Sequence, residues 1–153
     1  MRKINMEKIK IKDSLQKSFH GPAWHGPSVM EVLTDPTPNN VSQKISDSHS
    51  IIELVLHMAA WRDFVVKRLQ GNDKFEVSDE ANFPKGTDWK LALTTLQQSQ
   101  KDLMSAIDQF PDEKLQEIVP TRNYDFYTML HGIIQHDIYH TGQIVLLKKV
   151  KGD

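Results

Sequence analysis

The C-terminal segment HDIYHTGQIVLLKK is the strongest constraint on what this chain can fold into. It reads as an apolar helix carrying His136 and His140 four residues apart. Residues at that spacing differ by ~40° in direction and ~6 Å in height. Met129, Ile133, Ile144 and Leu147 run along the same side, so both imidazoles face inward near the edge of an apolar arc. Such a helix calls for facing helices, and the rest of the chain supplies them.

Residues 5 to 19 carry Met6, Ile9, Leu15 and Phe19 at roughly helical spacing, and Gly21-Pro22 ends that segment. Ala23 to Pro27 (AWHGP) reads as a turn. A short helix is expected from Pro27, at its first position, through Leu33. Residues 35 to 40 (DPTPNN) are a loop on composition. A strong helix spans about 50 to 70. Ser50 and Glu53 form a capping box at its start, and Gly71-Asn72 stops it. Ile51, Leu54, Met58, Trp61, Phe64, Val65 and Leu69 share one broad face. Residues 72 to 87 read as a long loop, and long loops in compact domains are often functional. The next helix begins after Thr87 or Asp88, carries Leu91, Leu96, Leu103 and Ile107, and ends before Pro111. A turn of helix is expected at Asp112 to Leu115. The last helix runs from Asp125, as N-cap, to about Val150, with Lys148, Lys149 and Lys151 complementing its C-terminal dipole. Four main helices with no strand and no repeat make an all-α four-helix bundle with short additional helices in the connections. At 153 residues it is expected to be one domain, 1–153.

A third histidine joins the pair. With His57 at zero on its helical wheel, Phe64 falls at about −20°, Trp61 at about +40° and Leu54 at about +60°. His57 therefore lies within the buried stripe. Three inward imidazoles on facing helices fit one metal ion with a position left open. They equally fit three core histidines with hydrogen-bonded rings, and spacing alone leaves both readings open. His131 lies ~140° around the helix from His136, too far to share an ion. His20, His25 and His49 fall near segment ends and read as surface or turn residues.

Composition narrows the chemistry. The chain has no cysteine, which removes thiol nucleophiles, disulfides and Cys-based zinc sites. The net charge is −1 and the pI about 6.7, so no electrostatic grip on nucleic acid or an anionic membrane is expected. No apolar run approaches the ~18 residues of a membrane span. The basic N-terminus has no apolar core of a secretory signal, so a cytoplasmic location is the expectation. Phosphate-binding glycine loops, a Ser-His-Asp arrangement and the Glu-x-x-His repeats of di-iron bundles are not found in the sequence.

The segments HSIIELVLHMAAWRD, AWHGPSVMEVL and LHGIIQHDIYHTGQIVLLKK resemble the DinB-like superfamily of four-helix metalloproteins over nearly the whole chain. The most specific element is HxxxHxGQI paired with a histidine on the second main helix. The resemblance implies a divalent metal ion, zinc or nickel, with His57, His136 and His140 as its ligands. It also implies a homodimer. Some relatives are S-transferases that use a low-molecular-weight thiol, and others are assigned as metal-dependent hydrolases. The family name records DNA-damage induction, a matter of regulation. The expected function is therefore metal-dependent hydrolysis or thiol transfer on a small-molecule substrate. The alternative is a non-catalytic, stress-related dimeric module with a structural ion.

Other residues are supporting candidates. Glu53 stands one turn before His57 as a possible general base, or simply as the third residue of the capping box. Asp137 is a candidate to orient a ligand ring, or to form a salt bridge. Trp61 is a candidate pocket wall or core residue. Gln143 is placed to hydrogen-bond near the site or to hold the bundle. Gly142 is expected to admit a neighbouring helix, and Tyr139 to touch a subunit partner. The 72 to 87 loop and the Ala23 to Pro27 turn are the segments expected to border the pocket.

Overall fold

The computed structural model describes residues 6–35 and 40–150. Four long helices, α1 (Met6–His20), α3 (Ile51–Leu69), α5 (Trp89–Gln109) and α6 (Phe126–Leu147), form the bundle. Two single-turn helices, α2 (Val29–Val32) and α4 (Asp79–Asn82), and a 3₁₀ turn at Asp112–Lys114 lie in the connections. Among the described residues there is no strand. The DPTPNN loop lies largely outside them, as do Asn5 and Lys151.

Caps set most of the boundaries. Ser50 Oγ accepts from the Glu53 amide while the Glu53 carboxylate accepts from the Ser50 amide, the expected box. At the other end Gly71 takes a positive φ of 84°. The Asn72 amide then bonds Lys67 O (2.9 Å) and the Gly71 amide bonds Arg68 O (3.1 Å), a Schellman closure. A second capping box, Ser28 with Glu31, starts α2 at Val29. Pro27 therefore precedes the helix instead of opening it, as the sequence had suggested. The 72 to 87 segment is not wholly irregular: Ser78 caps α4 through the Ala81 amide. Helix α6 ends at Leu147 and not near Val150. Its last amides, Lys149 and Val150, bond carbonyls three residues back, and Lys148 reaches away to Val32 O and Asp35 beside α2.

The packing order is α1 beside α5 and α6, with α3 packed against both α5 and α6. Helix α3 is covered on nearly all sides, so Ile52, Val55, Ala59 and Val66 are buried as well as the one face read from the sequence. The buried stripe of α5 runs Trp89, Ala92, Leu96, Gln100, Leu103, Ile107. Leu91 lies off that stripe and is 60% exposed, and Met6 and Ile9 are likewise exposed on α1, where Ile11 takes the core position. Exposed apolar residues of this kind are common on helix surfaces. A Cβ built on Gly142 would meet nothing within 4 Å, so among the described residues no neighbouring helix comes into contact there, contrary to expectation.

The apolar core is in two parts. One gathers the end of α3, the end of α5 and the start of α6; the other gathers the start of α3, the start of α5 and the end of α6. A polar layer lies at the division. Arg62 on α3, fully buried, donates to Asp137 Oδ2 on α6 at 2.5 Å and to Gln100 Oε1 on α5 at 3.3 Å, and its guanidinium lies 4.8 Å from the centre of the Phe19 ring on α1. One side chain thus touches all three other long helices. Burial pushes the Asp137 carboxyl up while the adjacent guanidinium pulls it down, and a contact of that length keeps the pair ionised. Breaking the pair on one side strands a buried charge. Arg62→Met is expected to lower stability by about 3–5 kcal/mol, read from the urea midpoint, and adding Asp137→Leu to recover most of the loss.

Candidate metal centre

The three histidines expected to meet do so. Nε2 of His136 lies 2.9 Å from Nε2 of His57 and 3.1 Å from Nε2 of His140. Each contributes one nitrogen to a common focus, and among the described residues this three-histidine group is the cluster able to hold an ion. His57 and His140 are buried and His136 is half-buried.

The outer edge of each ring decides what the inner nitrogen can do. His57 Nδ1 lies 2.5 Å from the backbone carbonyl of Asn82, in α4. His140 Nδ1 lies 2.6 Å from the side-chain carbonyl of Gln143, one turn on. A carbonyl only accepts, so both rings carry their proton on Nδ1 and turn an Nε2 lone pair inward. His136 Nδ1 is buried without a hydrogen-bond partner. One proton on His136 Nε2 can satisfy one inward lone pair, which leaves the other nitrogen facing it uncompensated. A cation satisfies all three. Imidazole nitrogens about 2.0–2.1 Å from one tetrahedral zinc ion stand roughly 3.3 Å apart; the approaches of His136 to His57 and to His140 are close to that, and all three ligand atoms lie within 4.8 Å of one another. The residues fit a divalent metal.

All three rings are held neutral. Burial lowers the His57 and His140 pKa values, opposed by the Asn82 and Gln143 hydrogen bonds respectively. For His136, burial and then the neighbouring His140, His57 and Arg62 charges bring the value to about 3. Neutral imidazole is the form that binds a metal.

The supporting candidates separate clearly. Gln143 fixes the His140 ring. Trp61 donates from Nε1 to Asn82 Oδ1 at 2.9 Å and packs edge-on to Phe64, so it braces the α4 strap as well as facing His136. Glu53 is occupied by its cap and by Lys44 and Lys85; although burial opposes it, those hydrogen bonds hold its carboxyl down at about 2. Asp137 points away into the polar layer with Arg62. His131 packs on Tyr127 and His25 is exposed.

Two participants were not legible beforehand. Phe83, just past α4, is stacked between His57 (4.0 Å between ring centres) and His49 (3.5 Å), nearly parallel to both. His49, read from the sequence as a surface residue, is thereby drawn to the rim of the site. Asn82 contributes a main-chain carbonyl, which no side-chain pattern encodes. The one available signal was the length of the 72 to 87 loop.

A cavity lies on either side of the group. One of about 520 Å³ opens beside His140, walled by Leu54, Phe83, Leu147 and His49. A smaller one of about 240 Å³ lies beside His136, between Trp61, Met129 and Gly132. The 72 to 87 segment borders the first through Phe83; the walls of both come from segments other than Ala23–Pro27, where Trp24 is fully exposed.

Residues 25–144 match the DinB superfamily, and the chain belongs to that family. No curated protein and no solved structure matches it.

Replacing Gln143 with Leu removes the acceptor that fixes the His140 tautomer. Zinc affinity, measured by competition with a chromophoric chelator, is expected to fall about 10- to 100-fold. For the metal-free protein, the unfolded chain takes up protons near pH 6.5 that the folded histidines refuse. Stability should therefore be greatest above that pH and fall towards pH 3, approaching about 1.4 kcal/mol per pH unit from His136 alone. Urea unfolding with chelator present, at pH 7.5 and pH 5, checks this.

Proposed function

We propose that this protein is a metalloenzyme acting on a small molecule through a divalent ion, zinc or nickel, held by Nε2 of His57, His136 and His140. The observation that supports it most is the convergence of the three nitrogens with two rings locked to present lone pairs inward. An ion on three neutral ligands keeps its charge, and lowers the pKa of bound water to ~7 or activates an external thiol as thiolate. The first chemistry is hydrolysis. The second is transfer to a low-molecular-weight thiol, which would come from outside because the chain has no cysteine.

The protein's own residues prepare the site for either. Asn82 and Gln143 hold the ligand rings. Phe83 and Trp61 cover them with apolar surface. Asp137 and Glu53 are engaged elsewhere, so neither serves as a fourth ligand or general base. That favours an open, catalytic ion over a structural one, since structural zinc is normally closed by four protein ligands. The reading includes a cytoplasmic location and a homodimer, the latter supported by Ile138, an exposed apolar residue of α6. Among the described residues no helix is long and apolar enough to cross a membrane.

Elemental analysis of tag-free protein tests it. About one zinc or nickel per chain is expected, lost in His140→Ala. Retention of metal by that variant, or none in the wild type after incubation with either ion, would overturn the proposal. A screen of ester, amide and thiol-transfer substrates on metal-loaded protein then separates the two chemistries from a structural role.

A further inference from the structure

The larger cavity shares His140 and Gln143 with the three-histidine group and is bounded opposite by the His49–Phe83 stack. Its volume of about 520 Å³ lies within the usual range for small-molecule sites, roughly 300–1,000 Å³; the 240 Å³ cavity beside His136 falls below it. Leu54, Leu146, Leu147 and Ile45 give it an apolar surface. Among the described residues no aspartate, glutamate, lysine or arginine lines it, so away from the three-histidine group nothing on its walls compensates a charge on the body of a ligand.

His49 stands out on this wall. Its ring is held flat against Phe83 at 3.5 Å. Its Nδ1 lies 3.8 Å from Oε2 of Glu53, a carboxylate that Lys44 and Lys85 also hold. The Nδ1 edge of the ring is thus turned to Glu53, and Nε2 is the nitrogen left for another partner.

We propose that this cavity binds an uncharged, largely apolar small molecule, and that His49 anchors the molecule's polar end beside the three-histidine group. The inference names a substrate class for the metal site argued above and rests on that reading for its function. It adds a binding residue the motif does not contain.

Two neutral probes of matched size, 1-naphthol and 1-methylnaphthalene, test it on the zinc-loaded full chain at pH 7.5 by fluorescence titration. Both should bind. Leu146→Arg places a charge at a largely exposed wall position and should weaken both at least tenfold. Gly132→Leu, at a position where an added Cβ meets nothing within 4 Å, partly fills the other cavity and should leave both unchanged. His49→Phe keeps the stack but removes the nitrogen, and should weaken 1-naphthol three- to tenfold while sparing 1-methylnaphthalene. Failure of either probe to bind overturns the proposal. So does binding sensitive to Gly132→Leu and not to Leu146→Arg, or an unchanged ratio of the two affinities in His49→Phe. Circular dichroism of each variant separates a folding defect from lost binding, and Ile45→Arg, at another exposed wall position, replaces Leu146→Arg if that variant fails to fold. Zinc content, measured on the same samples, reports on the metal reading independently: a protein that binds the probes but no zinc keeps the cavity and loses the metalloenzyme.

Discussion

The buried guanidinium of Arg62 is the contact on which the rest of this bundle depends. Apolar helix faces slide against one another at little cost, because one leucine substitutes for the next along a groove. A buried charge tolerates no such slip. Displacing α6 by one turn relative to α3 would part Arg62 from Asp137 and leave two ions in an apolar core, at a cost of several kcal/mol. The same guanidinium meets Gln100 of α5 and the Phe19 ring of α1, so it fixes the vertical alignment of the whole bundle. Such a pair adds little net stability over a well-packed apolar replacement. What it supplies is a single register.

The metal centre inherits that register. Asp137 follows His136 directly, and Arg62 lies five residues after His57. Fixing the ion pair therefore sets the heights at which the imidazoles of α3 and α6 face each other. The 2.9 Å approach of His57 to His136 is a consequence of helix alignment, whereas the 3.1 Å approach of His136 to His140 follows from their spacing on α6; local hydrogen bonds at the outer ring edges of His57 and His140 complete the arrangement. The polar layer and the histidine group form one band between two apolar halves. The orphaned Asp137 Oδ1 and Gln100 Nε2 in that band show that its hydrogen bonding is incomplete.

The long helices, both of α3's terminal signals and the three-histidine focus were legible in the sequence because each rests on local periodicity or on caps within one turn. The parts that were not legible are those where distant segments decide. Arg62 reads as an interruption of an apolar face until α6 is placed beside it. Nothing local marks Gln100 as a core residue, and Leu91 reads as part of the apolar stripe, because a 3.6-residue stripe can be drawn through either until α3 selects the face. The carbonyl of Asn82 has no sequence signature at all. His49 was read as a surface or turn residue because it falls near a segment end; Phe83, thirty-four positions later, gives it its place. Gly142 shows the reverse error, a packing role assigned to a residue that faces open space within this chain.

The two locked ligands are held in different ways, and the difference has an evolutionary consequence. His140 depends on the chemical identity of residue 143, so one nucleotide change can release it. His57 depends on a main-chain oxygen that any amino acid at position 82 carries, provided the single turn of α4 keeps its place. Drift in the side chains of that strap can reshape the rim of the cavity while the ligand beneath keeps its orientation. The chain thus separates the part of its site that can vary from the part that has to stay fixed, with a peptide bond as the divider.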